Sequence, residues 1–129
     1  MGDPYPLYAA VVEVTNRCNF RCPFCASDSG CARENEMSLD ELKGVVRDLA
    51  ALGCRAFTML GGEFLLRPDW YEIGRAVKAA GMELQLITNG LLVTEAHRLT
   101  VGSGHIHEPI GSLFKAQKNA LTAHILKRC

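Results

Sequence analysis

Three short apolar runs, Tyr8–Val14, Ala56–Leu60 and Glu83–Ile87, are separated by two stretches of helical periodicity, and this alternation constrains the fold more than any other feature. The first run is β-branched and apolar, the second is continuously buried in character, and the third alternates; each has the length of a strand. Ser38-Leu39-Asp40-Glu41 has the form of a capping box, Leu42, Val45, Val46, Leu49 and Leu52 share one face, and Gly53 supplies the stop. A second helix is expected after Pro68, with Asp69 as N-cap, Glu72 three residues on, Ile73, Ala76 and Val77 facing inward, and Gly81 at its end. The order β-α-β-α-β favours a parallel sheet with right-handed crossovers, an α/β fold.

Each strand runs directly into residues that carry chemistry. After the first stand Cys18, Cys22 and Cys25, spaced C-x3-C-x2-C in one loop; after the second, Gly61-Gly62-Glu63; after the third, Thr88-Asn89-Gly90. In parallel α/β folds the C-terminal strand ends form the working face, so all three groups are expected around one crevice. Iron–sulfur clusters are normally held by four cysteine thiolates, and three leave one metal corner open to an exogenous ligand. An open corner points to chemistry more than to structural support.

Composition sets bounds around that site. With 129 residues, 48% hydrophobic and 22% charged, the chain reads as one globular domain able to bury a core. Its formal net charge is zero, which gives no bulk-charge reason to expect a nucleic-acid or membrane-surface partner. No apolar stretch approaches the roughly 20 residues that span a bilayer, and the N-terminus shows no basic-then-apolar signal. Six cysteines, three of them within eight residues, do not resemble a secreted disulfide framework, so a cytoplasmic, reducing setting is expected.

Taken together, Cys18-x3-Cys22-x-Phe24-Cys25, Gly61-Gly62-Glu63 followed by Leu65-Leu66-Arg67-Pro68-Asp69, and Ile87-Thr88-Asn89-Gly90 resemble the radical S-adenosylmethionine (radical SAM) enzymes from about Val11 to Thr94. The resemblance implies that Cys18, Cys22 and Cys25 ligate three irons of a four-iron four-sulfur (4Fe-4S) cluster, while S-adenosylmethionine chelates the fourth. It implies reductive cleavage of S-adenosylmethionine to a 5′-deoxyadenosyl radical that abstracts hydrogen from a substrate, with the electron coming from a donor such as flavodoxin or ferredoxin. By the same resemblance Phe24 packs near the adenine, the Gly61-Gly62 backbone approaches the methionyl amine, Glu63 helps to fix that amine, and Thr88 and Asn89 add polar contacts. Glycine suits close backbone approach because it lacks a Cβ. The wording of the second and third motifs is nearest to members that mature peptides or cofactors, so the substrate is expected to be a peptide or small molecule.

Each assignment has a plainer competitor. For the triad it is a structural zinc site completed by Cys31 or a histidine, disfavoured because zinc sites usually pair ligands across two separate knuckles. Alone, Gly61-Gly62 reads as a strand-exit turn, Glu63 as a solvated charge and Thr88-Asn89-Gly90 as a plain turn; position at the strand ends reverses the odds for the first two. Phe20 reads as a loop residue folding back onto the core, Cys54 as a small buried hydrophobe and Cys31 as an exposed loop thiol.

Beyond Thr94 the pattern changes. Residues 1–90 carry nine Lys+Arg against twelve Asp+Glu, whereas 91–129 carry five against two together with all four histidines, His97, His105, His107 and His124. Val101–Pro109 reads as a turn-rich linker, with His105 and His107 as plain loop residues, and Leu113–Lys127 as a helix. Residues 1–94 are thus expected to form the N-terminal half of a radical SAM barrel, a partial TIM-type (βα) barrel of about three parallel β-α units. Residues 95–129 form a divergent irregular or helical tail, read as the mark of a truncated or frame-shifted product. A complete eight-stranded barrel takes roughly 250 residues. Phe64 also departs from the family, which usually has proline there. Two functional readings follow: a radical SAM enzyme, or an inactive iron–sulfur or zinc half-domain; homo-oligomerisation that completes the sheet is a further expectation.

Overall fold

A computed structural model describes residues 6–97 and 105–107. Four parallel strands in the order β1-β2-β3-β4 form one open sheet: β1 (Ala9–Glu13), β2 (Ala56–Leu60), β3 (Glu83–Ile87) and β4 (His105–His107). Helix α1 (Leu39–Ala51) connects the first two strands and α2 (Trp70–Ala79) the second pair. The β-α-β-α-β reading is therefore the fold, an open portion of a (βα) barrel. The expected linker over 101–109 needs correction, because His105–His107 pairs in parallel with β3 through Gln85↔His105, Leu86↔Ile106 and Ile87↔His107. Three residues amid Gly, Ser and Pro are too few to display a strand period. The expected Leu113–Lys127 helix lies outside the described residues.

Register explains where the core sits. Ala10, Phe57 and Leu84 lie in line across the sheet, as do Val12, Met59 and Leu86. This face packs against Leu42 and Val46 of α1 and Ile73 and Val77 of α2, all essentially inaccessible. Each such side chain contributes about 1.5–3 kcal/mol through burial. The opposite face begins with Ala9, Val11 and Glu13, all exposed, and continues through Thr58 and Gln85, whose side chains join at 3.0 Å. Period-two alternation in β1 and β3 thus separates a helix-covered face from a more open one, while β2 between them is buried on both.

Local signals place the helices as expected. Ser38 Oγ accepts from Glu41 N and the Glu41 carboxylate accepts from Ser38 N at 2.8 Å, completing the capping box. Gly53 and Gly81 adopt φ of +83° and +81° where the helical segments turn into strands. Leu52 departs from the expected inward stripe, since it caps α1 and is 69% exposed. Asp69 is the N-cap of α2, yet its carboxylate makes no cap bond and pairs instead with Arg67 at 2.6 Å. Phe64 opens a short 3-10 turn (Phe64–Leu66) and is buried edge-on against Trp70, ring centroids 5.4 Å apart.

Candidate metal centre

The chain leaves β1 and is drawn across the end of β2. Val14 N donates to Leu60 O at 2.8 Å, Gly62 N to Thr15 O at 2.9 Å and Glu63 N to Arg17 O at 2.8 Å. Side-by-side approach this close leaves no room for a side chain: a Cβ on Gly61 would meet Thr15 O at 2.4 Å, and one on Gly62 would meet Arg17 O at 2.4 Å. The two glycines are therefore required by the cysteine loop itself.

That loop is closed at its base by a parallel bridge between Arg17 and Gly30, with Cys18 N donating to Gly30 O at 2.8 Å and Gly30 N to Asn16 O at 2.9 Å. Asp28 takes a left-handed φ of 44° in the turn after Cys25, a conformation that short polar side chains tolerate. Ser27 Oγ donates to the Glu13 carboxylate. A second clamp comes from Glu36, whose oxygens accept from Thr15 Oγ1 at 2.9 Å, Asn16 N at 2.7 Å and Arg33 N at 3.0 Å. Burial opposes ionisation of Glu36, but these donors outweigh it and hold the carboxyl below its usual range. Arg67 Nη1 donates to Val14 O at 2.8 Å, pinning the last residue before the loop.

Glu63 ties the three strand ends together. It is completely buried, and its oxygens accept from Thr88 Oγ1 at 2.9 and 2.8 Å, Asn89 N at 2.8 Å and Leu65 N at 3.2 Å. Burial pushes its pKa up, against the pull of those donors. Asn89 Nδ2 then donates to Asn19 Oδ1, inside the cysteine loop, at 2.8 Å. The expected convergence of the cysteine triad, Gly61-Gly62-Glu63 and Thr88-Asn89 is thus present as a continuous hydrogen-bonded unit. Phe24 stands apart, 73% exposed between Cys22 and Cys25.

The thiols occupy different electrostatic settings. Burial raises Cys18, opposed by the N–H of Phe20 and reinforced by Glu63, Cys22 and Cys25; burial also raises Cys22, with Cys25 adding to it. Cys25 is lowered, chiefly by the N–H of Ser29, with the N–H of Ser27, the Ser29 hydroxyl and the N–H of Asp28 assisting against partial burial. Phe20 N lies 3.3 Å from Cys18 Sγ and Ser29 N lies 3.5 Å from Cys25 Sγ. Such N–H···S contacts accompany iron–sulfur ligation, and ligation by Cys18 and Cys22, whose neutral forms burial favours, would release protons. Among the described residues no three His, Cys, Asp or Glu side chains converge on a single ion. A four-iron cluster makes the different demand that each thiolate reach its own iron, and the donor set fits it. Cys54 is a buried core thiol, 3.3 Å from Ala56 O, and Cys31 is exposed on the loop.

Glu36, Arg67 and Asn19 carry much of this architecture; Glu36 and Asn19 carry no sequence signal, and Arg67 stands in the second motif without an assigned role. Their partners lie across loops, at separations that no local period reports.

The fold and site define a parallel α/β sheet that carries a three-thiol loop at the C-terminal edge of its strands. Residues 12–104 match the Radical SAM superfamily, and the chain belongs to it. It is 32% identical over 91 residues to a probable GTP 3′,8-cyclase of Methanothermobacter marburgensis, covering 70% of this chain and 30% of that protein. It is 35% identical over 92 residues to the PqqA peptide cyclase of Rhizobium meliloti, covering 70% of this chain and 24% of the relative. Among solved structures it is similar to Streptococcus suis SuiB bound to S-adenosylmethionine (TM-score 0.66, 20% identity, 78% of this chain and 23% of that one). It is also similar to BtrN in complex with AdoMet and 2-DOIA (TM-score 0.61, 22% identity, 86% and 51%). The chain spans about a quarter to a third of the length of these two curated relatives. No helix among the described residues is long and apolar enough to cross a membrane.

Proposed function

We propose that this chain holds a 4Fe-4S cluster through Cys18, Cys22 and Cys25, binds S-adenosylmethionine beside it, and initiates radical chemistry on a peptide or small-molecule substrate. When bound, the cluster and S-adenosylmethionine supply one-electron reductive cleavage of the sulfonium and hydrogen abstraction from substrate. The protein's own residues hold and orient. Gly61 and Gly62 let the β2 exit press against the cysteine loop, leaving their carbonyls as acceptors for the methionyl amine. Glu63, fully buried and held by Thr88 and Asn89, braces the crevice instead of meeting the methionyl amine as the resemblance implied. The Thr88 hydroxyl and Asn89 amide, spent on Glu63, Gly90, Asn19 and Leu91, act with it as support for the cofactor site. Phe24, exposed beside the thiols, offers an aromatic face to the adenine. An electron donor such as flavodoxin or ferredoxin supplies the reductant, and free thiols require a reducing, cytoplasmic setting.

The observation that carries this reading is the path Cys18–Asn19···Asn89···Glu63, which joins all three strand-end motifs in one unit. Anaerobic loading with iron and sulfide, followed by metal analysis and electron paramagnetic resonance of the reduced protein, tests it. Four irons per chain and a spectrum altered by S-adenosylmethionine support the proposal; zinc in place of iron, or a spectrum indifferent to S-adenosylmethionine, refutes it.

A second reading has its own support. The open face of the sheet exposes Val11 at 66% and Glu13 beside it, so the described portion does not enclose its own crevice. An inert half-domain would hold the cluster without shielding a radical from solvent.

A further inference from the structure

The cysteine loop buries two side-chain donors that lack a partner at hydrogen-bond geometry, and one of them, the Ser29 hydroxyl, lies close enough to Cys25 to favour its thiolate. Among the described residues, Asn19 Nδ2 and Ser29 Oγ are the buried side-chain polar atoms without a partner. Natural proteins rarely leave such groups unmet, because each forfeits its hydration with nothing in exchange, and the ordinary explanation is an absent ligand or water. Both donors belong to the same short segment, one next to Cys18 and the other four residues after Cys25.

The orientation of Asn19 follows from its neighbours. Leu91 N donates to Asn89 Oδ1 at 3.1 Å, which fixes the Asn89 amide and turns its Nδ2 toward Asn19 at 2.8 Å. Only an oxygen of Asn19 can accept there, so the amide cannot be flipped and its NH2 group is the end left over. Ser29 is 8% exposed, and its backbone N–H already points at Cys25 Sγ, so its hydroxyl is held beside a thiol. Its neighbour Ser27 differs, because the Ser27 hydroxyl is taken by Glu13. The acceptor nearest the Ser29 hydroxyl is the Cys25 sulfur itself, and the Asn19 amide has none; an iron–sulfur cluster makes that thiolate a cluster ligand and brings further sulfur acceptors into the loop.

We infer that the Asn19 amide and the Ser29 hydroxyl donate hydrogen bonds to sulfur atoms of the cluster and thereby set its reduction potential. Donors to cluster sulfur favour the more negatively charged, reduced state, so their loss makes reduction harder. They are positioning residues, acting on the cluster and touching no substrate. The inference rests on the proposed function, since it presumes that the triad holds a cluster.

The test uses the full chain, loaded anaerobically with iron and sulfide and titrated electrochemically without S-adenosylmethionine. Asn19→Ala and Ser29→Ala are expected to keep the iron load of the unaltered protein and to shift the midpoint to more negative potential. Ser29→Thr restores the original midpoint, and Ser27→Ala leaves it unmoved. Electron–nuclear double resonance of the reduced cluster should show exchangeable-proton couplings that disappear in the two alanine variants. Should Asn19→Ala fail to take up iron, the series at Ser29 carries the same decision. Unshifted midpoints in a normally loaded protein overturn this inference alone, as does a shift of equal size in Ser27→Ala. A shift seen only when S-adenosylmethionine is present overturns it in favour of that ligand's carboxylate as the acceptor. An unaltered chain that takes up no iron overturns the proposed function together with this inference.

Discussion

A Cβ added to Gly62 would lie 2.7 Å from the Cβ of Cys18, so the turn after β2 and the first thiol occupy a single packed position. The glycine is demanded by the neighbouring loop before any ligand arrives. Gly62→Ala must push the Arg17–Cys18 backbone outward, and overpacking of this kind costs about 1–3 kcal/mol. Thermal unfolding should report that loss, and iron uptake should fall with it.

Gly44 supplies the contrast. It lies inside α1, where an added Cβ meets nothing nearer than Arg47 Nη2 at 3.6 Å. Gly44→Ala should stabilise the fold by up to about 1 kcal/mol, because glycine is a poor residue within a helix. Iron binding should not change.

Cys22 and Cys54 should separate binding from folding. Cys22 sits on the loop outside the core, whereas Cys54 is a member of it. Cys22→Ala is expected to abolish cluster assembly with little change in unfolding temperature. Cys54→Ala should retain full iron while losing about 1 kcal/mol or more of stability, the usual cost of shortening a buried side chain. Metal analysis beside a melting curve reads both.

Glu36 gives a pH-dependent signature. Its folded pKa is depressed, so its stabilisation is present above the unfolded carboxylate value and is lost as pH falls through the lower folded value. Glu36→Gln should cost about 1–3 kcal/mol at neutral pH, as hydrogen bonds to a charged group do. The gap between the two proteins should narrow as the solution is acidified below about pH 4.5. Denaturant unfolding at a series of pH values checks the trend. A gap that stays constant down to strong acid would count against the carboxylate clamp.

Arg67 cannot be replaced by its charge alone. Its guanidinium reaches Val14 O and the Asp69 carboxylate together, through Nη1, Nε and Nη2. A lysine is a point donor without that fork, so Arg67→Lys should lose about 1 kcal/mol and loosen the end of β1. Amide hydrogen exchange at Thr15–Cys18 should rise.

The sequence made legible what local rules govern. The Ser38 capping box, the left-handed stops at Gly53 and Gly81, and the period-two strands each depend on residues within a few positions of one another, and the structure has them. The gathering of the three strand-end motifs was legible too, because parallel topology dictates it. Glu36 was not, since its contacts with Thr15 and Asn16 cross 21 and 20 residues without any periodic mark. The same holds for Arg67 and Val14, 53 apart, and for Asn19 and Asn89, 70 apart. Glycines 61 and 62 were legible as motif residues, while the packing reason for them lies in Thr15 and Arg17, more than forty residues away in the chain. Strand β4 was lost because its three residues cannot express a pattern.

The most direct test of the central claim is a chromatographic assay for 5′-deoxyadenosine after anaerobic reconstitution, with dithionite and S-adenosylmethionine added. The account predicts product that disappears when Cys18, Cys22 or Cys25 is replaced by alanine. A fully loaded cluster that yields no product, or product that survives loss of the triad, would contradict it.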